Sequence, residues 1–161
     1  MPGPRVEESA NVLSILSPEE VRRFGGLPNE AIVGVFADQS ASLAAFRPNP
    51  RFLAFLHRVI AVAGPNDPEL VSAAASQGTG WVYLIDGRTP EGPEGRVSPE
   101  DIVGVFKVEE GKLVEGGYQA NDAYRAFTDN GIVQLPSSLR DKVLQALRDV
   151  MQGRRSSESP R

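Results

Sequence analysis

The chain reads as an α+β protein built from two tandem repeats of about 70 residues, each ordered strand, strand hairpin, helix. The repeats are expected to form one pseudo-twofold antiparallel or mixed sheet covered by amphipathic helices. Three observations lead there. Glu30-Ala31-Ile32-Val33-Gly34-Val35-Phe36 is echoed by Glu100-Asp101-Ile102-Val103-Gly104-Val105-Phe106. Ordered matches flank the echo on both sides. Apolar residues recur at helical spacing after the strand-like runs of the first repeat and near the C-terminus.

At a constant offset of seventy, Val12 meets Val82, Ile15 meets Ile85 and Leu43 meets Leu113. Two extra residues lengthen the second hairpin. Beyond them Phe46 meets Tyr118, Asn49 meets Asn121, Phe52 meets Tyr124 and Phe55 meets Phe127. The repeats are thus set at 11–80 and 81–150, within a single globular domain spanning 11–152. Residues 1–10 read as a flexible N-terminal arm and 153–161 as a disordered C-terminal tail.

In chain order, Asn11 to Leu16 is a short strand candidate. Ser17 and Pro18 open a helix, with Glu19 and Glu20 complementing its positive end, and Gly25-Gly26 close it. Ala31 to Ala37 is nearly all apolar and β-rich, the mark of a buried strand. Asp38 to Ser42 reads as a turn and Leu43 to Phe46 as a returning strand. Asn49-Pro50 starts a helix with Phe52, Phe55, Leu56, Val59, Ile60 and Ala63 on one face. Gly64-Pro65 ends it, and Asp67-Pro68 starts another that runs to Gly78.

Trp81 to Asp86 is the strongest strand pattern in the chain. A Gly/Pro loop follows over 87–96, then a buried strand from Ile102 to Lys107. Glu109-Glu110-Gly111-Lys112 has the form of a tight hairpin turn. Leu113 to Tyr118 returns, Asn121 to Phe127 reads as a short helix, and Asp129-Asn130-Gly131 as a turn. Ile132 to Leu135 is short and extended. A last helix starts near Ser138, with Asp141 completing a capping-box-like pattern, and ends at Gly153.

Composition narrows the function. The chain of 161 residues has a formal charge of -4 and no cysteine, which removes disulfide and thiolate chemistry. With one histidine, a structural zinc site is not expected. A mildly acidic surface without a basic stripe argues against nucleic acid. The most apolar helix is too short for a bilayer, and the N-terminal residues lack a signal-like apolar run. A cytoplasmic protein without membrane attachment or cofactor is expected.

Several residues are candidates for a role. Asn49 and Asn121, at matching positions, are helix caps or paired ligand contacts, with capping preferred. Gly34 and Gly104, inside strands, mark close packing, a bulge, or a backbone that admits a ligand. Asp86 ends the strong strand, where it bonds the turn backbone, pairs with Arg88, or serves as a strand-end carboxylate. His57 is a possible general base, but no partner lies at a telling spacing. Trp81, Tyr83 and Tyr118 are amphipathic aromatics aligned with Asn11, Leu13 and Phe46. Core packing is the first reading of Trp81. A binding surface of Trp81, Tyr83, Asp86, Arg88 and Tyr118 is the second, since such residues dominate binding hot spots.

No phosphate loop, nucleophile elbow or metal set appears in the sequence. The expectation is a small non-enzymatic protein-binding module, an adaptor, inhibitor or immunity-type protein acting by occlusion or scaffolding. Its partner would be another protein or a second copy of itself. The alternative is a small-molecule binder or enzyme whose pocket lies between the repeats, using His57, Asp86, Arg88 and Tyr118.

Overall fold

A computed structural model describes residues 11–38, 42–88 and 97–158. The 87–96 loop therefore lies outside the described residues beyond Arg88, as do the proposed N-terminal arm and much of the 38–42 turn. The protein has an α+β fold made of two sheet-plus-helix sub-units. The chain divides into two compact units, Met1–Phe55 with Leu144–Arg161, and Leu56–Val143.

In the first unit, β1 (Val12–Ser14), β2 (Ile32–Phe36) and β3 (Phe46–Pro48) form an antiparallel sheet in that order. Helix α1 (Pro18–Phe24) joins β1 to β2. Ser17 Oγ accepts from Glu20 N, and Glu20 Oε1 accepts from Ser17 N, closing a capping box at 3.1 and 2.9 Å. Gly25, at φ 80°, ends the helix in the left-handed conformation glycine adopts without penalty. Helix α2 (Pro50–Ala63) follows β3 and runs from the first unit, which ends at Phe55, into the second; its Phe52, Phe55, Leu56 and Ile60 are buried as the spacing requires.

The second unit contains α3 (Pro68–Gln77) and the sheet β4 (Gly80–Ile85), β5 (Ile102–Glu109), β6 (Lys112–Ala120), again antiparallel and in chain order. Asp67 caps α3 by accepting from Leu70 N at 3.2 Å. The β5–β6 turn places Glu110 at φ 49° and Gly111 at φ 75°, the paired left-handed geometry of a two-residue hairpin loop. Where α2 runs out at Gly64, a Cβ would lie 2.4 Å from the Phe106 ring, so only glycine permits that approach. A small hairpin, β7 (Phe127–Thr128) and β8 (Gly131–Ile132), precedes α4 (Ser137–Glu158).

Several expectations are corrected. The strands do not join one sheet: β1–β3 and β4–β6 are separate, because β3 and β4, with α2 and α3 between them in the chain, do not pair. Leu43–Ala45 is a 3-10 turn, and the returning strand is Phe46–Pro48. The helix expected over Asn121–Phe127 is absent. Asn121 Oδ1 accepts from Ala123 N, Arg125 N turns to Glu100 O, and Phe127 enters β7. Arg88 donates to the Arg125 carbonyl, so that group is spent outside any helical ladder. Helix α4 begins at Ser137 and continues through Gly153 to Glu158; Ser138 Oγ donates to Asp67 Oδ1 rather than capping the helix.

The two sub-units repeat one another in detail. Asn49 Nδ2 donates to Ile32 O and Asn29 O at 2.8 and 3.0 Å, and Asn121 Nδ2 donates to Ile102 O and Pro99 O, both at 2.8 Å. Phe52 N bonds Asn49 O as Tyr124 N bonds Asn121 O. A Cβ on Gly34 would strike the Phe46 ring and Arg47 O at 2.4 Å, and one on Gly104 would strike Tyr118 and Gln119 O at 2.5 and 2.7 Å. The glycines are there because a cross-strand aromatic ring lies over them. Such equivalences are consistent with a duplicated motif.

The first strands, however, match at an offset of seventy-one. Leu13 pairs with Gly34 as Leu84 pairs with Gly104, and Ser14 pairs with Ile32 as Ile85 pairs with Ile102. Ile15 N donates to Ala31 O as Asp86 N donates to Asp101 O. Each sheet carries the same bulge, which leaves Val33 or Val103 unpaired. Tyr83 therefore corresponds to Val12, and Asp86 to Ile15, a shift that identity along two apolar strands does not reveal.

Candidate functional site

The strand β4 sorts its side chains by alternation. Val82 and Leu84 are buried, whereas Trp81, Tyr83 and Ile85 are 39%, 57% and 39% exposed. Three large apolar side chains thus stand in a row on the open face of the sheet. This corrects the first reading of Trp81: it faces solvent, and the small Val82 and Leu84 fill the interior. Opposite the row on β5 are Lys107, across from Trp81, and Val105, across from Tyr83.

The strand is also an edge. Asp86 N–H donates to Asp101 O at 2.8 Å, so Leu84 and Val82 likewise turn their backbone groups toward β5. By alternation, the N–H and C=O of Trp81, Tyr83 and Ile85 point outward. A cleft of about 200 Å³ follows this side. It is lined by Val82, Tyr83, Leu84 and Ile85, with Asp67, Leu70, Ala73, Pro136 and Leu139 among its other walls. Four consecutive strand residues face opposite ways in turn, so a cleft touching all four runs along the strand edge.

Asp86 and Arg88 do not reach that face. Their side chains are 0% and 2% exposed. Arg88 Nε donates to Asp101 Oδ1 at 3.0 Å, Nη1 to Gly131 O at 3.0 Å, and Nη2 to Glu100 O at 3.3 Å and to Arg125 O. Asp86 accepts from Arg88 N at 3.0 Å, from Gln134 N at 3.1 Å and from Tyr124 Oη at 2.7 Å. Asn130 Nδ2 donates to Asp101 Oδ2 at 3.3 Å. Two of the three sequence readings of Asp86, a bond to the turn backbone and a pair with Arg88, occur together. Burial, the Asp86 charge and the hydrogen bond to Asp86 push the Tyr124 hydroxyl well above its ordinary range. The network holds the chain from Arg125 to Gln134 against the end of β4. Its carboxylates are engaged, and a ligand would have to displace a partner.

His57 finds the partner that spacing could not supply. Its Nδ1 lies 2.7 Å from Tyr118 Oη, and its ring is 6.3 Å from that of Tyr124. Burial lowers the imidazole pKa from its ordinary 6.5, opposed by the charge of Asp122. Burial raises the Tyr118 hydroxyl. Tyr118 also packs against Phe106 at a ring tilt of 44°, with centroids 4.8 Å apart, and covers Gly104. His57, Tyr118, Tyr124, Asp86 and Arg88 thus lie in one neighbourhood, while Trp81 and Tyr83 form a separate exposed row.

Reading from sequence missed Asp101, Tyr124, Asn130 and Gln134. A signal existed for two: Asp101 interrupts the echo where the first copy has Ala31, and Tyr124 replaces Phe52. Gln134 contributes backbone groups to the network, which no residue pattern encodes. Among the described residues, no cluster of His, Asp or Glu could hold a metal ion, and no helix is long and apolar enough to cross a membrane. Comparison with family models, curated proteins and solved structures finds no match to this chain.

Proposed function

We propose that this protein is a binding module that holds another protein through the exposed face of β4, acting by occlusion or scaffolding. The observation that carries this reading is the row of Trp81, Tyr83 and Ile85, apolar and open on an edge strand. Aromatic anchors of this kind supply most of the energy in protein interfaces. We read the two sub-units as tandem copies of one motif, in which the second has exchanged Val12 for Tyr83 and gained an interaction surface. Asp86 and Arg88 support the surface from behind, and Tyr118 packs the sheet.

The test compares wild-type protein with the double variant Trp81→Ser, Tyr83→Ser as bait in native lysate, followed by binding measurements with the purified partner. A protein captured stoichiometrically by the wild type and lost by the equally folded variant is the expected result. Equal capture by both baits would remove β4 from the interface. The alternative, a small-molecule site or an enzyme, has the short His57–Tyr118 contact in its favour. A metabolite that copurifies and is lost in His57→Gln would support that reading instead.

A further inference from the structure

Resting on that reading, we infer that the partner docks as an added β-strand: an extended segment, apolar at alternate positions and carrying a lysine or arginine, paired along the open edge of β4. The edge presents the N–H and C=O of Trp81 and Tyr83 to a strand placed beside them, the arrangement that strand addition needs, and past Ile85 it is closed by Gly87 N donating to Gln134 O at 2.7 Å. The cleft running along the edge provides the seat. Inward side chains of the incoming segment meet Leu70, Ala73 and Leu139; outward ones flank Tyr83 and Ile85. A period of two in the segment follows from the pleat.

The charge of the seat selects the occupant. The carboxylates lining the cleft are Asp67 and Glu69, and no lysine, arginine or histidine lines it. Asp67 is 5% exposed and engaged with Leu70 N and Ser138 Oγ. Glu69 is exposed on the first turn of α3 and has no partner among the described residues. A cation on the segment would complete it. A second copy of this chain does not fit as well, because β4 offers Gly-Trp-Val-Tyr-Leu-Ile followed by Asp86, with no cation to bring to Glu69.

The experiment selects phage-displayed random nonapeptides on the full chain and measures the enriched peptides by fluorescence polarisation. Enrichment of alternating apolar residues with a lysine or arginine is expected. Methylating the peptide amides that face β4 should weaken binding by about tenfold per hydrogen bond removed, whereas methylating the alternate amides should not. Tyr83→Pro, which deletes an outward N–H at an edge position that tolerates proline, should weaken binding beyond the loss seen in Tyr83→Ser. The methylated peptides carry the test if that variant fails to fold. Glu69→Lys should reverse the charge preference. Peptides that bind regardless of methylation would overturn strand addition while leaving the β4 surface intact. Unchanged selection by Glu69→Lys would overturn the cationic requirement. If no peptide is enriched, the inference fails; the reading of β4 as an interface falls only if the serine double variant also keeps every partner.

Discussion

The two sub-units place opposite chemistry on one backbone pattern. In the first, Ile15, Ala31 and Phe52 are hydrocarbon. At the equivalent positions of the second stand Asp86, Asp101 and Tyr124, with Arg88 between the carboxylates. Ala31 and Asp101 are both 0% exposed, and Phe52 and Tyr124 are 0% and 4%. The backbone bonds persist: Ile15 N to Ala31 O is 3.1 Å and Asp86 N to Asp101 O is 2.8 Å. Strand pairing and the bulge therefore do not depend on whether the interior is apolar or ionic. The ionic version instead recruits carbonyls at Glu100, Arg125 and Gly131, and so organises a segment that in the first sub-unit is simply the start of a helix.

The sharpest way to break the comparison is Arg88→Ser, which removes the cation and leaves the buried Asp86 and Asp101 carboxylates without a counter-charge. Loss of one partner from a buried pair should cost about 3–5 kcal/mol in chemical denaturation. Replacing Asp86→Ile, Arg88→Ser, Asp101→Ala and Tyr124→Phe together should cost less than the sum of the single changes, because no charge is then left buried alone. Additive losses would mean that the four groups act separately.

Next in size is Tyr124→Phe, which removes a 2.7 Å donor to a buried carboxylate. It should cost about 1.5–3 kcal/mol, with little change in the unfolding slope. The reciprocal change, Phe52→Tyr, places a hydroxyl where no equivalent carboxylate waits, and should also destabilise rather than transfer the network.

A smaller effect concerns His57. Its folded pKa is below the ordinary 6.5, so below that pH the unfolded chain binds more protons than the native one. Stability from this group is fully present above 6.5 and declines as pH falls from there toward the depressed native value. His57→Gln should flatten that limb of the stability–pH curve. The smallest expected effect is at the β5–β6 turn. Glu110→Gly relieves a left-handed non-glycine residue and should change stability by less than about 1 kcal/mol, raising the melting temperature slightly. In the first hairpin the Leu43–Ala45 3-10 turn leads into β3.

Much of the fold was legible from residue patterns. The helices at Pro18, Pro50 and Pro68 announce themselves through a capping residue, a proline in the first turn and an apolar stripe. The Glu110-Gly111 turn and the strand from Ile102 are equally local. Trp81 and Tyr83 stood out by residue type, but their exposure did not, since an aromatic on a strand suits either face. Asn121 failed as a helix start because its successor region answers to Arg88, more than thirty positions earlier. The His57–Tyr118 contact spans sixty-one positions and left no periodic trace.

The sequence alone determined the α+β class, the internal echo, the bounds of most helices and the charge and residue types from which any surface must be made. These follow from hydrogen bonding and side-chain sterics within a few residues. The tertiary structure decided that β1–β3 and β4–β6 form separate sheets rather than one, that the first strands match one residue out of step, and that Asp86 and Arg88 turn inward while Trp81 and Tyr83 turn out. Those outcomes depend on which distant backbone groups and charges meet in a dry interior, where an unmatched carboxylate or guanidinium is too costly to remain.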